Sequence, residues 1–276
     1  MVDDYFKVIR GGLNSTFQDE GREGLYHIGL PFSGAMDKRN YLIANKLNNN
    51  NNNEAVLEFA YQGPLLKYFG KKRNIAITGN VNFKILKKDK SIHNGECYRT
   101  IEINDGDTID ILSTNRSVYG YFSVNGGFKL EKFWDSFSTT IRAQVGPNNG
   151  QKLIDDQEIK LKEGHSTTQR NLDYIDSKIE FIRVIKGTNF NYFSAQSIKD
   201  FFSKKFEVTK LTDRMGMRIQ GIKLINNKYT NIKSEGLVKG TIQIPADGNP
   251  IILLSDHGTI GAVSYTHLRA HETTNY

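Results

Sequence analysis

Three short blocks carry most of the side chains able to do chemistry. Residues 16–37 set Gln18, Asp19, Arg22, Ser33 and Asp37 among Gly21, Gly24, Gly29 and Gly34; Asp213 and Arg214 stand side by side; Glu235 and Gln243 follow soon after. Guanidinium groups bind carboxylates or phosphates through paired hydrogen bonds, carboxylates take a proton from an amide-type nitrogen, and glycine-rich backbone supplies N–H donors to an oxyanion. Such a set suits amide, lactam or carboxyl-transfer chemistry, with Asp19, Arg22, Asp213, Arg214 and Glu235 expected to face one cleft. The same residues equally suit structural ion pairs beside turns, and the residues alone leave the two readings level.

Other chemistries have no local signature. There is no Gly-x-x-x-x-Gly-Lys-[Ser/Thr] loop, no dinucleotide glycine fingerprint, no His-Glu-x-x-His, no cysteine pair and no biotin-attachment sequence. No metal site is expected. Asp105-Gly106-Asp107 lacks calcium-loop spacing and reads as a hairpin turn. His27 and His257 adjoin the chemical blocks and are minor candidates, since a lone histidine is more often structural.

The 276 residues suit one large or two small domains, and no apolar run approaches a membrane span of about 20 residues. The formal charge of +7 comes from lysines scattered in pairs (Lys71-Lys72, Lys87-Lys88, Lys204-Lys205) without basic-aromatic motifs, which argues for a solvated surface and against nucleic acid. The acidic start after Met1 is not a secretory leader, and Cys97 stands alone, so a cytoplasmic protein is expected.

The elements that must position these blocks are mostly strands. Tyr5 to Ile9 alternates as a strand leading into the glycine segment, which is too irregular for a core element. A helix over 40–47, capped by Asp37, places Leu42, Ile43, Lys46 and Leu47 together. The asparagine run 48–53 reads as a low-complexity expansion in an exposed loop without function. Strands follow at 55–59, 65–69, 74–78, 82–86, 98–103, 108–112 and 118–124, separated by turns such as Asn94-Gly95 and Asn125-Gly126-Gly127. This pattern favours an antiparallel barrel or sandwich over alternating βαβ units. Glu58 lies within an apolar run, where alternation would turn it to solvent. A polar stretch over 146–177 places a domain boundary near its end, and a small α+β unit restarts beyond it. That unit has strands at 178–185 and 205–209 and a helix at 194–203 presenting Ile198, Phe201 and Phe202.

Taken together, Gln18-Asp19-x-Gly21-Arg22-x-Gly24, then Gly29-x-Pro31-x-Ser33-Gly34-Ala35-Met36-Asp37, resemble the opening signature of one family. Asp213-Arg214-Met215-Gly216, Ser234-Glu235-Gly236, Gly240 to Pro245 and Asp247-Gly248 match in the same order. The family is the carboxyltransferase-type allophanate hydrolase subunit 2, which includes the 5-oxoprolinase C subunit, the Kip antagonist and the urea amidolyase carboxyltransferase domain. The resemblance implies a mainly β, α+β chain whose halves, 1–177 and 178–262, are small β-barrel subdomains similar to the cyclophilin-like fold.

It further implies catalytic roles for Asp19, Arg22, Asp213, Arg214 and Glu235, and substrate contacts from Gln18, Ser33, Asp37, Glu58, Gln243 and Arg142. Glu58 sits in a Leu-Glu the family shares, and Arg142 follows a Ser/Thr-rich stretch. The match departs at Lys186-Gly187-Thr188, where the family has prolines. Three functions follow. The first is the C subunit of an ATP-dependent 5-oxoprolinase, inactive without its LamB-type A subunit and its B subunit of the allophanate hydrolase subunit 1 type. The second is a biotin-dependent carboxyltransferase for urea-type amides, its biotin on a partner; the third is a regulatory Kip-antagonist role.

The family pattern breaks after Gly261. Val263 to Thr273 reads as the in-frame translation of a transposase-type sequencing adapter, so native sequence is expected to end within the codon of Ala262. Residues 263–276 would then carry no function, and strand edges would be left unpaired.

Overall fold

The computed structural model describes residues 3–166, 168–173, 181–226, 234–261 and 268–270. Its chain divides into two compact units, residues 1–22 with 33–175, and residues 23–32 with 176–276.

The first unit is built from β1 (Tyr5–Arg10), β2 (Asn14–Gln18), β3 (Val56–Ala60), β4 (Leu65–Phe69), β5 (Arg73–Thr78), β6 (Val81–Leu86), β7 (Ile92–Asn94), β8 (Thr100–Ile103), β9 (Thr108–Thr114), β10 (Tyr119–Val124) and β11 (Glu158–Lys160). Among the described residues these form two antiparallel sheets, ordered β11-β1-β4-β9-β6-β7 and β2-β3-β10-β5-β8. Phe6, Val8, Leu66, Ile109 and Ile111 from one sheet, and Phe17, Leu57, Phe59, Ile75 and Phe122 from the other, share one core. The sheets are open, so the sandwich alternative describes this unit and the expected closed barrel does not. The turn over Asp105 and Gly106 joins β8 to β9, with Gly106 at φ 89° and Asp107 N–H donating to the Asn104 carbonyl at 3.0 Å.

Three local expectations are corrected. The start of the glycine segment is a core strand: β2 pairs with β3 from Asn14 opposite Ala60 to Gln18 opposite Val56, and Ser15 to Gln18 are buried. Strand β3 is buried on both faces, so Glu58, 1% exposed, does not face solvent. In helix α1 (Lys38–Leu47) the buried residues are Tyr41, Ala44, Asn45 and Leu47, while Lys46 is exposed and Leu42 and Ile43 are half-buried. Asp37 caps that helix as expected, accepting from Asn40 N–H at 3.0 Å.

The second unit contains β12 (Val184–Lys186), α2 (Ala195–Ser203), β13 (Glu207–Val208), β14 (Gly216–Gln220), β15 (Glu235–Gly236), β16 (Thr241–Gln243), β17 (Ile251–Leu253), β18 (Ile260–Gly261) and β19 (Leu268–Ala270). A sheet β12-β19-β16-β17-β14-β13 and a short β15-β18 pair form among the described residues, again without closure. Its core is small: Phe190 and Ile242 are buried, with Val184, Ile198, Phe201 and Ile252 against them. Phe202, expected on the apolar side of α2, is 60% exposed. The expected strands over 178–185 and 205–209 are shorter here, and residues 178–180 lie outside the described residues. Of the tail expected to be foreign, 268–270 form β19, and 263–267 and 271–276 lie outside the described residues. Among the described residues no helix is long and apolar enough to cross a membrane.

The asparagine run is exposed at Asn49 and from Asn51 to Asn53, but Asn48 and Asn50 are buried and tie it into the fold. Asn48 is fully buried and donates through Nδ2 to Ser123 Oγ at 2.6 Å, while its carbonyl accepts from Asn125 Nδ2 at 3.0 Å. Asn50 Nδ2 donates to the Val124 carbonyl at 2.9 Å, and Asn50 Oδ1 accepts from Gly126 N–H at 3.0 Å. Asn50→Ala strands that amide and that carbonyl inside the fold and is expected to cost about 1–3 kcal/mol. Asn52→Ala, on the exposed crest, should stay within about 0.5 kcal/mol, a contrast that urea titrations of the two variants measure.

Candidate functional site

In the first unit, the end of β2 delivers Gln18 and Asp19 beneath the loop 136–140. Asp19, 4% exposed, is the loop's acceptor. Its Oδ1 accepts from Ser136 Oγ at 2.7 Å, Ser138 Oγ at 2.5 Å and Gly21 N–H at 2.9 Å, and its Oδ2 accepts from Phe137 N–H at 2.6 Å. Gln18, fully buried, donates through Nε2 to the Thr139 carbonyl at 2.9 Å. Arg22, 3% exposed, donates through Nη1 to Thr140 Oγ1 at 2.7 Å and through Nη2 to the Ser138 carbonyl. Ser33 Oγ lies 2.6 Å from the same Thr140 hydroxyl, so residues on both sides of segment 23–32 meet at one side chain.

The backbone fixes this geometry. Ser33 sits at φ 57°, and Gly34 at φ 79°, where an added Cβ would come 2.8 Å from the Glu20 carbonyl oxygen, so only glycine lets the segment fold back. Beyond it, Met36 N–H donates to Glu58 Oε2 at 2.7 Å and Asp37 N–H donates to the Tyr121 hydroxyl at 2.7 Å. Burial first, then the Glu58 and Asp37 carboxylates, push the Tyr121 phenol well above its ordinary pKa and keep it protonated.

The unit therefore brings Gln18, Asp19, Arg22 and Ser33 together with Ser136, Ser138 and Thr140. Asp19 and Arg22 are not open to a ligand, however; they are buried clamps that set the hydroxyl loop. Both Asp37 carboxylate oxygens engage Asn40 although the residue is half-buried, and the buried Glu58 carboxylate holds the turn at Met36. Arg142, just past the loop, is exposed.

In the second unit, Arg214 (5% exposed) forms a fork with Asp256, Nε to Oδ2 at 2.8 Å and Nη2 to Oδ1 at 3.0 Å. Asp213 is exposed and turns the chain into β14 by accepting from Met215 N–H at 2.8 Å and Gly216 N–H at 3.2 Å. Glu235 is half-buried, accepting from Thr188 Oγ1 at 2.9 Å and Asn189 Nδ2 at 3.3 Å, so the Lys186-Gly187-Thr188 departure supplies one of its partners. Gln243 is half-buried on β16.

Next to Asp256, His257 is 1% exposed, with Nδ1 2.7 Å from the Gly258 carbonyl and Nε2 3.3 Å from the Tyr26 hydroxyl. Burial pulls its pKa below the ordinary 6.5. Asp256 and Tyr26 carry no chemical signal of their own in the sequence; Asp256 follows the apolar run 251–254 and Tyr26 lies between Gly24 and Gly29. Among the described residues no three His, Cys, Asp or Glu side chains gather as a metal site.

Asp19→Ala leaves two hydroxyls and two amides without their acceptor and is expected to lower stability by about 3 kcal/mol. Arg142→Ala should change it by less than about 0.5 kcal/mol, both read by urea denaturation. A neutral buried His257 contributes stability that is present above pH 6.5 and lost as pH falls through its lowered folded value, because the unfolded chain then binds the proton more readily. The slope of unfolding midpoint against pH below 6.5 should accordingly flatten in His257→Gln.

The family model for the carboxyltransferase domain, subdomain A and B, matches residues 28–268. The C subunit of 5-oxoprolinase from Haemophilus influenzae is 29% identical over 248 residues, covering 90% of this chain and 78% of that protein. That of Escherichia coli is 28% identical over 258 residues, covering 92% and 81%. The urea amidolyase of Saccharomyces cerevisiae is 29% identical over 226 residues, covering 77% of this chain but 12% of its own length. Among solved structures, the Kluyveromyces lactis urea carboxylase aligns with a TM-score of 0.85 at 22% identity, over 99% of this chain and 26% of that one. TTHA0988 aligns at 0.83 and 24% identity over 98% of this chain, which spans about half (52%) of that one. These structural likenesses establish the fold, and the family model, matched over most of the chain, establishes membership: the chain belongs to the carboxyltransferase domain family with subdomains A and B.

Proposed function

We propose that this chain is the C subunit of an ATP-dependent 5-oxoprolinase, acting in a cytoplasmic hetero-oligomer with LamB-type A and allophanate hydrolase subunit 1-type B subunits to open 5-oxoproline to glutamate. The observation that carries the reading is the extent of the matches. The 5-oxoprolinase C subunits align as subunits of comparable size, over 78% and 81% of their own lengths, whereas the urea amidolyase match is a small part of a much longer chain.

Within this reading the clamped hydroxyl loop sets the position of the exposed Arg142. Glu235, steered by Thr188 and Asn189, offers a carboxylate to the substrate's amide. Neither helix among the described residues offers ATP a phosphate cradle. The first turn of α1 is already capped by the Asp37 carboxylate and that of α2 by Ser194, whose Oγ accepts from Ser197 N–H, so neither helix start is left to cradle a phosphate. Nucleotide binding then belongs to a partner. The second reading, carboxyl transfer to a urea-type amide from biotin on a partner, draws on the urea amidolyase match; the Kip-antagonist role has no observation in its favour here.

Purified alone, the chain is expected to cleave neither ATP nor 5-oxoproline; with cognate A and B subunits, coupled release of ADP and glutamate should appear. ATP-dependent lactam cleavage by the chain alone would overturn the proposal, and turnover of urea with a biotin carrier, in place of 5-oxoproline, would move it to the second reading.

A further inference from the structure

Amide chemistry of either kind begins with the same proton. For a lactam oxygen to attack a phosphoryl group, or a urea nitrogen to attack a carboxyl carbon, the substrate N–H must be surrendered as the new bond forms. Asp19 and Arg22 are committed to the hydroxyl loop, Arg214 and Asp256 to each other, and both Glu235 oxygens already accept from Thr188 and Asn189, which leaves Glu235 to orient the amide and none of these groups to take its proton.

The second unit holds a pair that is. The Gly258 carbonyl, 2.7 Å from His257 Nδ1, accepts only if that nitrogen carries the proton, which leaves Nε2 as a bare lone pair. Tyr26 stands at that lone pair with its hydroxyl 3.3 Å away, the rings edge to face with centroids 5.8 Å apart. The phenol therefore donates to Nε2. His257 is sealed at 1% exposed while Tyr26 is 37% exposed, so the tyrosine is the member a substrate can reach. Burial holds the Tyr26 phenol above its ordinary pKa and keeps it protonated, against a smaller opposite effect of the Phe32 backbone amide.

We propose that Tyr26 and His257 form a proton-transfer dyad for the amide substrate, an inference that rests on the amide-chemistry reading above. The substrate N–H breaks as an O–H forms on Tyr26, while the original Tyr26 O–H breaks as an N–H forms on His257 Nε2. The electron pair left on the amide forms the bond to the phosphoryl group as its bond to ADP breaks, or to the carboxyl group as its bond to the biotin nitrogen breaks, each donor being brought by a partner subunit, and the imidazolium returns its proton to the product or to water. Besides Tyr26, the charged groups acting on the ring are Asp256, which favours the imidazolium and is itself bound to Arg214, and Lys239, which opposes it. Tyr26 is a catalytic residue in this scheme, and His257 acts through it.

The test uses the complex reconstituted with its partner subunits. His257→Gln is expected to lower kcat about 100-fold or more with KM nearly unchanged, and Tyr26→Phe, which keeps the ring and its packing, at least 10-fold. The acid limb of the wild-type rate profile should lie below pH 6.5 and vanish in His257→Gln. Nitrogen chemical shifts of the isolated chain should show a neutral His257 protonated on Nδ1, with an Nε2 resonance that moves in Tyr26→Phe. An active complex in which both variants keep the wild-type rate and acid limb, or a His257 protonated on Nε2, overturns the dyad alone. A wild-type complex inert toward lactam and urea substrates overturns the amide reading and the dyad with it.

Discussion

A buried carboxylate is tolerable only when its charge is shared among donors, and the first unit is arranged around meeting that condition at Asp19. Two serine hydroxyls and two backbone amides converge on it. Those contacts fix the loop 136–140, the loop presents Thr140, and Thr140 receives Arg22 on one side and Ser33 on the other. A single anion at the end of a core strand thus determines where the glycine-rich segment leaves the unit and where it returns. The buried Arg214–Asp256 fork has a comparable role in the second unit, tying the turn into β14 to the loop after β17. Such a pair specifies one arrangement more than it stabilises the fold as a whole.

This division of labour changes how family-signature residues are to be understood. Aspartate and arginine in a glycine-rich motif invite a catalytic reading, yet the ones most buried here serve as struts. The groups with reach are the exposed Arg142, the half-buried Glu235 of the signature itself, and a tyrosine that no motif marks. A signature can include charged members that shape a site beside ones that reach the substrate.

Most strands of the first unit are legible in the sequence because their apolar residues alternate or cluster between turn residues; the strand over 65–69 has the limits its pattern predicts. Strand β2 is not legible, because Asn14-Ser15-Thr16-Phe17-Gln18 is polar by composition. Gln18 Nε2 is satisfied inside the fold by Thr16 Oγ1 and the Thr139 carbonyl, and local sequence does not announce a partner 121 positions away. The asparagine run misleads for the same reason. Low complexity describes how a sequence looks, whereas Asn48 and Asn50 are held by what β10 and the turn after it offer them. In the second unit short strands and a small apolar cluster leave little periodicity to read, so the helix is evident in the pattern and the strand limits are not. Membership of the family is readable from ordered motifs; which of their residues are open to solvent is not.

Because segment 23–32 groups with residues 176–276, the backbone passes between the two units three times, after residues 22, 32 and 175. No single cut can therefore release either unit whole. A polypeptide ending at 175 would display Tyr26 and Ile28 without the residues they group with, and one beginning at 176 would have an imidazole at 257 with no phenol beside it. Modular exchange of one unit between relatives, by gene fusion or in the laboratory, would have to carry this ten-residue excursion across with the distal half of the chain. The two halves are thus bound to travel, and to diverge, as one piece.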